Sequence, residues 1–233
     1  METTEGGRYI FSAYANSVGA VLREPLKAFL SDVPCAALPV TGGLISQVKE
    51  NLSFKIESSN ILTIGRASAT VLGEYRKGNK YISLATSTVE KLNILDVVTA
   101  DAIVSKITSV YTDDGKSPHK GENSHFVLRG SHFDNLRVEG QLIQCQQVDS
   151  QFKPKEELGF GVKDTNDFYF SKTKNDGDCQ QTIRIPQFGT IYLGQVKGYS
   201  SKVILTMLRV ELGCPFEARA ALATASTNGS IGL

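Results

Sequence analysis

A chain of 233 residues is long for one compact unit, yet it lies within the range of all-β sandwiches and barrels. Apolar residues at 41% and charged residues at 21% are near the globular average, which excludes an intrinsically disordered chain and allows a sizeable core. Twenty-five Lys and Arg against twenty-four Asp and Glu leave a net charge of +1, so there is no global field to gather nucleic acid or an anionic membrane.

No apolar run approaches the roughly 18 to 20 residues of a membrane-spanning helix. Met1 to Arg8 is polar and lacks a signal peptide's hydrophobic region. The expected location is cytoplasmic for the chain as it stands, and extracellular or cell-surface if an export signal was removed. Cys35, Cys145, Cys179 and Cys214 are far apart and form no CxxC, which fits neither a zinc module nor a thioredoxin-type centre. Their even number allows two disulfides, but four isolated and mostly buried thiols are the expected state.

Tyr9 to Val21 alternates apolar and polar residues and reads as a strand. Leu22 to Leu30 reads as a short helix or a loop. Pro25, Pro34 and Pro39, followed by Thr41, Gly42 and Gly43, break the chain. From there Ser46 to Ser58, Ile61 to Tyr75, Lys80 to Leu92 and Val97 to Tyr111 are four segments rich in β-branched residues, separated by turn signals. Arg76 to Asn79 lies between two alternating runs and predicts a hairpin. Asp101 sits inside the apolar run of the fourth segment, where a structural carboxylate would accept hydrogen bonds at a bend.

A faint echo recurs about every forty residues, in Glu50-Asn51-Leu52-Ser53-Phe54, Glu90-Lys91-Leu92-Asn93-Ile94 and Asp134-Asn135-Leu136-Arg137-Val138. Stacked strands of one sheet account for it better than a decayed repeat. Tyr111 to Ser124 is a polar loop. Phe126 to Arg129 and Phe133 to Val148 return to strand patterning around Gly130 and Gly140, which with Asp101 and Asn135 are the positions expected to be structural.

Phe152 to Gly177 is an irregular excursion with aromatics Phe160, Phe168, Tyr169 and Phe170. Lysines and carboxylates interleave across Lys153 to Lys174, as on a solvated loop. Gln181 to Val196 and Lys202 to Leu212 are further strands, and Ala218 to Leu233 reads as a loose tail or a strand seeking a partner. The expected fold is all-β, an antiparallel sandwich or barrel-like sheet with one short helix near the N-terminus. Residues 1–217 form one domain with its excursion at 152–177, and 218–233 a small-residue tail.

Little chemistry is marked. His119, His125 and His132 fall close together, and His125 and His132 flank Gly130 so that they could meet across a hairpin, but no carboxylate or Cys joins them in a metal-ligand spacing. Asp176-Gly177-Asp178 and Asp164-Thr165-Asn166-Asp167 resemble fragments of a calcium loop without its sixth-position glycine and twelfth-position glutamate. No metal site and no cofactor are expected, the histidines reading as surface residues and the Asp-rich segments as turns; if an ion bound, it would be calcium, and the candidate ligands would be Asp164, Asp167, Asp176, Asp178, His125 and His132.

No G-x-S-x-G elbow, GxGxxG or Walker sequence occurs, and no residue is assigned a catalytic role. Asn51-Leu52-Ser53 and Asn228-Gly229-Ser230 match glycosylation acceptors.

Val98-Thr99-Ala100-Asp101-Ala102-Ile103, with the later Gly130-Ser131-His132-Phe133-Asp134-Asn135-Leu136-Arg137-Val138-Glu139-Gly140, resembles uncharacterised bacterial proteins that include surface proteins of the choice-of-anchor families. Those share a TADA strand and a later G-S-x-x-x-x-L-x-V-x-G strand. The resemblance covers roughly residues 45 to 143 and implies an exported, sheet-rich domain of unassigned activity, with no catalytic residues to carry over. The chain departs from it in showing neither a signal peptide nor an anchoring tail.

The expected function is a non-enzymatic structural, assembly or surface-presentation protein that self-associates as a homo-oligomer through sheet edges or termini. One alternative is a hydrolase or isomerase of a small-molecule or saccharide ligand, sited in the 152–177 excursion near His125 and His132. Another is a calcium- or carbohydrate-dependent binding module. The residues leave open whether its ligand is protein or saccharide, and indicate no nucleic acid and no transmembrane segment.

Overall fold

A computed structural model describes residues 9–24, 28–30, 33–56, 59–113, 124–147, 151–152, 165–168, 170–171, 182–199, 202–213 and 217–228. The chain opens with β1 (Ala13–Glu24), β2 (Ala28–Phe29) and β3 (Cys35–Ala37). Four long strands follow as a meander: β4 (Gly43–Ile56), β5 (Ser59–Arg76), β6 (Lys80–Ile94) and β7 (Val98–Thr112).

Short strands occupy the middle of the chain: β8 (Ser124–Val127), β9 (His132–Asp134), β10 (Arg137–Val138), β11 (Gln141–Leu142), β12 (Gln146–Gln147), β13 (Gln151–Phe152), β14 (Thr165–Phe168), β15 (Phe170–Ser171) and β16 (Thr182–Ile185). The last three are long again: β17 (Gly189–Tyr199), β18 (Lys202–Leu212) and β19 (Glu217–Asn228).

The four long strands of the meander correspond closely to the four segments expected from β-branched periodicity. Their hairpin at Arg76–Lys80 closes where glycine and asparagine allow positive φ, at Gly78 (84°) and Asn79 (54°).

All pairings are antiparallel and build two main sheets. One runs β14-β17-β18-β19-β1-β2, with β16 on β17 and β3 on β1; the other runs β11-β10-β7-β6-β5-β4, with β8 and β9 on β7. They pack face to face, β1 over β5 and β6, β19 over β6 and β7, and β18 over β7. The result is two stacked sheets rather than a closed barrel.

The core between them is lined with small residues. Ala15, Ala67, Ala69, Ala85 and Ala225 are buried beside Ser17, Ser83, Ser87, Ser105 and Ser109. These side chains are short enough for serines to reach the other layer's backbone: Ser17 Oγ donates to the Ser68 carbonyl at 2.7 Å, and Ser87 Oγ to the Asn16 carbonyl at 3.0 Å. Each bond satisfies a polar group that would otherwise be buried alone.

One expectation is corrected. Where the sequence suggests a short helix or a loop over Leu22 to Leu30, the described residues are largely strand: Leu22 pairs with Ala28 and Val21 with Phe29. Local helix propensity there yields to a sheet partner, as short segments commonly do. Of the two readings of the segment from Ala218, a loose tail or a strand seeking a partner, the described residues take the second: Glu217–Asn228 is β19, hydrogen-bonded to β1 on one side and β18 on the other. Its many small residues reflect its place at the narrow centre of the sandwich, not looseness.

The cysteine expectation also changes: Cys145 is disulfide-bonded, while Cys35 is a free, exposed thiol. Among the described residues no helix is long and apolar enough to cross a membrane.

Both sheets carry a transverse row at which the alternation of buried and exposed residues changes phase. In β5 the buried positions are Leu62 and Ile64 on one side of it and Ala67, Ala69 and Val71 on the other; in β6 they are Ala85, Ser87 and Val89, then Leu92 and Ile94. The ladders keep their register but skip Asn51, Gly65, Lys91 and Asp101.

Left-handed backbone at alternate strands makes the shift, at Asn51 (φ 55°), Lys91 (53°) and, continuing the row, Asn135 (48°). The sequence echo is thereby explained, because its second residue takes the left-handed turn and its leucine, Leu52, Leu92 or Leu136, re-enters the core.

The other sheet repeats the device at Ser17, Ala223, Met207 and Gly194, with positive φ at Ala223 (49°) and Gly194 (59°). There the row residues face inward and are buried, whereas in the first sheet they face outward. Both rows thus point the same way through the sandwich, outward from the first sheet and inward from the second.

Candidate functional site

The outward row of the β4–β7 sheet gathers two of the polar residues that the sequence singled out, Asp101 and Asn135. Asn135 Nδ2 donates to Asp101 Oδ2 at 2.6 Å. The Lys91 side chain lies across Gly65, where an added Cβ would meet it at 2.9 Å, so Gly65 is the residue that lets the lysine lie flat. One position along, Arg66 and Glu90 are opposite each other and pair at 3.5 Å, both substantially exposed. His132 Nδ1 lies 2.9 Å from the Gly130 carbonyl and its Nε2 3.5 Å from Asp134 Oδ2. Exposed pairs of this kind contribute about 0.2–1 kcal/mol each. The strip is an alternation of charges along a surface, suited to register and orientation.

His125 and His132, which could have met across a hairpin, do not. His125 on β8 stands opposite Val110 and His132 on β9 opposite Val104, six residues apart on β7, or about 20 Å at strand rise. They are separated because β8 and β9 are not a hairpin pair but dock separately along β7. Asp167 lies on β14, and Asp164, Asp176 and Asp178 lie outside the described residues, as does most of the 152–177 excursion. Among the described residues no group of three or more His, Cys, Asp or Glu could hold a metal ion. Gly130 (φ 94°) and Gly140 (77°) sit in tight turns after β8 and between β10 and β11, where Arg137 Nη1 donates to the Gly140 carbonyl at 3.1 Å.

Two clusters had no legible signal in the sequence. At one end of the sandwich Tyr9 stacks on Tyr81 and Tyr111, with ring centroids 4.4 and 5.4 Å apart, and Phe11 meets Tyr9 edge-on at 4.9 Å. Burial raises the Tyr9 phenol above its ordinary pKa, and nearby Ser83 and Ser109 hydroxyls oppose that shift. Neither the Tyr9 nor the Ser83 hydroxyl finds a partner at good hydrogen-bond geometry, so the opposing effect is the weaker. On the outer face of the other sheet the Arg209 guanidinium lies 3.9 Å over the Tyr192 ring, and Glu211 receives the Tyr192 hydroxyl at 3.3 Å and pairs with Arg219 at 3.4 Å.

The sheet edges differ sharply in length. On the β17 side the flanking strands β14 and β16 have four residues each; on the β1 side β2 has two and β3 three. Beyond β7 lie only strands of two to four residues. Short edge strands are a common way of blunting a sheet against unwanted pairing. β4 is the exception: it has fourteen residues, pairs with β5 on one side, and has no described strand on the other.

From Gly43 to Asn51 no residue of β4 is fully buried on either face, and Leu44 (67%) and Val48 (49%) are among the most exposed large apolar side chains. β3 lies against its inner face, where Cys35 N donates to Gln47 Oε1 at 3.3 Å.

Comparison with known proteins finds one family model, that of a domain of unknown function, matching residues 9–175. That span runs from the first described residue through both β1 and the whole β4–β7 meander. No curated protein and no solved structure matches.

Proposed function

The chain belongs to the DUF8256 family, and for it we propose a non-enzymatic structural or surface-presentation role, exercised by self-association through an open sheet edge. The observation that carries this reading is β4. It is a fourteen-residue edge strand in a fold whose other edges end in strands of four residues or fewer. Unpaired backbone N–H and C=O groups along such an edge are a template for another strand.

The Cys145 disulfide supports an exported setting, since such bonds persist in oxidising compartments. That agrees with the location implied by the choice-of-anchor resemblance. Light scattering across a concentration series tests the role: mass rising above that of one chain is expected, and a strict monomer at every concentration would overturn it.

A further inference from the structure

The proposed role names an edge but not what occupies it. Resting on that reading, we infer that the occupant is the same strand of a second copy, paired antiparallel about a two-fold axis through Ser46. Three observations select this arrangement.

The outer face of the first half of β4 is uncovered. Leu44, Ser46, Val48 and Glu50 are exposed, while the inner face meets β3 at Gln47 and packs Ile45 against the core, so the outer side chains of a second strand can lie beside them.

Charge then limits the register. Gly43 to Val48 is uncharged and Lys49 and Glu50 follow. Residues opposite each other in an antiparallel pair share a face. An axis through Lys49 would set lysine against lysine, and one through Glu50 glutamate against glutamate. An axis through Ser46 sets Lys49 against the partner's Gly43, leaving no like charges opposed.

The third observation is apolar matching. With the axis at Ser46, Leu44 stands opposite the partner's Val48 on the outer face, and the same contact recurs by symmetry. The two most exposed apolar side chains of the strand thereby cover each other, and the two nine-stranded sheets become one continuous sheet. A two-fold interface must be self-complementary in this way.

The arrangement is tested by cysteine cross-linking in the full chain carrying Cys35→Ser, which removes the exposed thiol and leaves the Cys145 disulfide in place; because the chain has four cysteines, Cys35→Ser without a further substitution is the background from which any covalent dimer is subtracted. Adding Ser46→Cys puts the new thiol on the axis, where mild oxidation should convert most of the protein to a covalent dimer. Ser53→Cys, on the same strand but beyond the paired stretch, should remain monomeric. Val48→Lys should abolish the mass increase seen by sedimentation while leaving the melting temperature of the dilute monomer unchanged, because Val48 is a surface side chain and only the concentration-dependent part of the stability is lost with the dimer. A dimer that Ser46→Cys fails to trap, or one that Val48→Lys leaves intact, would overturn the β4 register while the broader self-association reading survives. A chain that never exceeds monomer mass would overturn both.

Discussion

The amide of Asn135 donates to the carboxylate of Asp101 across 34 positions of sequence, tying β7 to the turn between β9 and β10 where the backbone turns left-handed. Two contributions meet at Asn135: a hydrogen bond to a charged acceptor, and a side chain that tolerates positive φ. Asn135→Ala removes the first and worsens the second, and is expected to lower stability by about 1–2 kcal/mol. Asn135→Gly loses the bond but relieves the backbone, so it should cost less than alanine. Urea unfolding of the two variants checks the order; alanine milder than glycine would mean that the strain of the left-handed turn matters little to stability.

The serines that bridge the layers give a second expectation. Ser87 is fully buried and donates to the Asn16 carbonyl, so Ser87→Ala leaves that acceptor without its partner and should cost about 1–3 kcal/mol. Ser87→Val has a similar apolar character but is too large for the narrow gap, and should cost more than alanine through overpacking. Denaturant midpoints at unchanged slope are the readout.

Tyr9 predicts an alkaline limit. Burial raises its phenol above the ordinary value of 10.0, so the folded state favours the protonated form more than the unfolded chain does. The resulting stability is fully present below the unfolded value and is lost as pH rises through the higher folded value. The melting temperature should therefore fall above about pH 10, and Tyr9→Phe should flatten that fall. An unaltered alkaline slope in Tyr9→Phe would shift the cause to other groups, with Tyr81, also raised chiefly by burial, the next to replace.

The disulfide at Cys145 predicts a redox-dependent melt. Reduction, or Cys145→Ser, is expected to remove about 2–4 kcal/mol of stability. Calorimetry with and without reductant measures it, and a reductant-insensitive melt of the unmodified chain would show that the bond contributes nothing.

The meander was legible because β-branched alternation and turn residues act locally: the hairpin at Gly78 and Asn79 needed no distant information. What failed depended on distance. The paired fate of Leu22 and Ala28, and the central place of Glu217–Asn228, are decided by which strand lies alongside, and small residues read alike in a tail and in a tightly packed core. His125 and His132 looked adjacent because sequence spacing does not reveal that β8 and β9 dock at different heights on β7. The echo around Asn51, Lys91 and Asn135 was visible as a pattern, but its cause lay in backbone handedness that residue type only hints at. The serine bridges and the Tyr9 stack join residues far apart in sequence and left no local mark.

The phase-changing row has a consequence for how this chain tolerates a change in length. Each strand of the meander is two counted halves joined at one position, and Asn51, Gly65, Lys91 and Asp101 are the joints. Deleting Asn51 alone would turn Leu52, Phe54 and Ile56 to solvent or drag β4 out of step with β5, since a one-residue slip reverses every side chain beyond it. The inward and outward faces could be kept only by removing the joint from all four strands together. Parity is thus held in common across the sheet, and no single strand can gain or lose a residue there by itself.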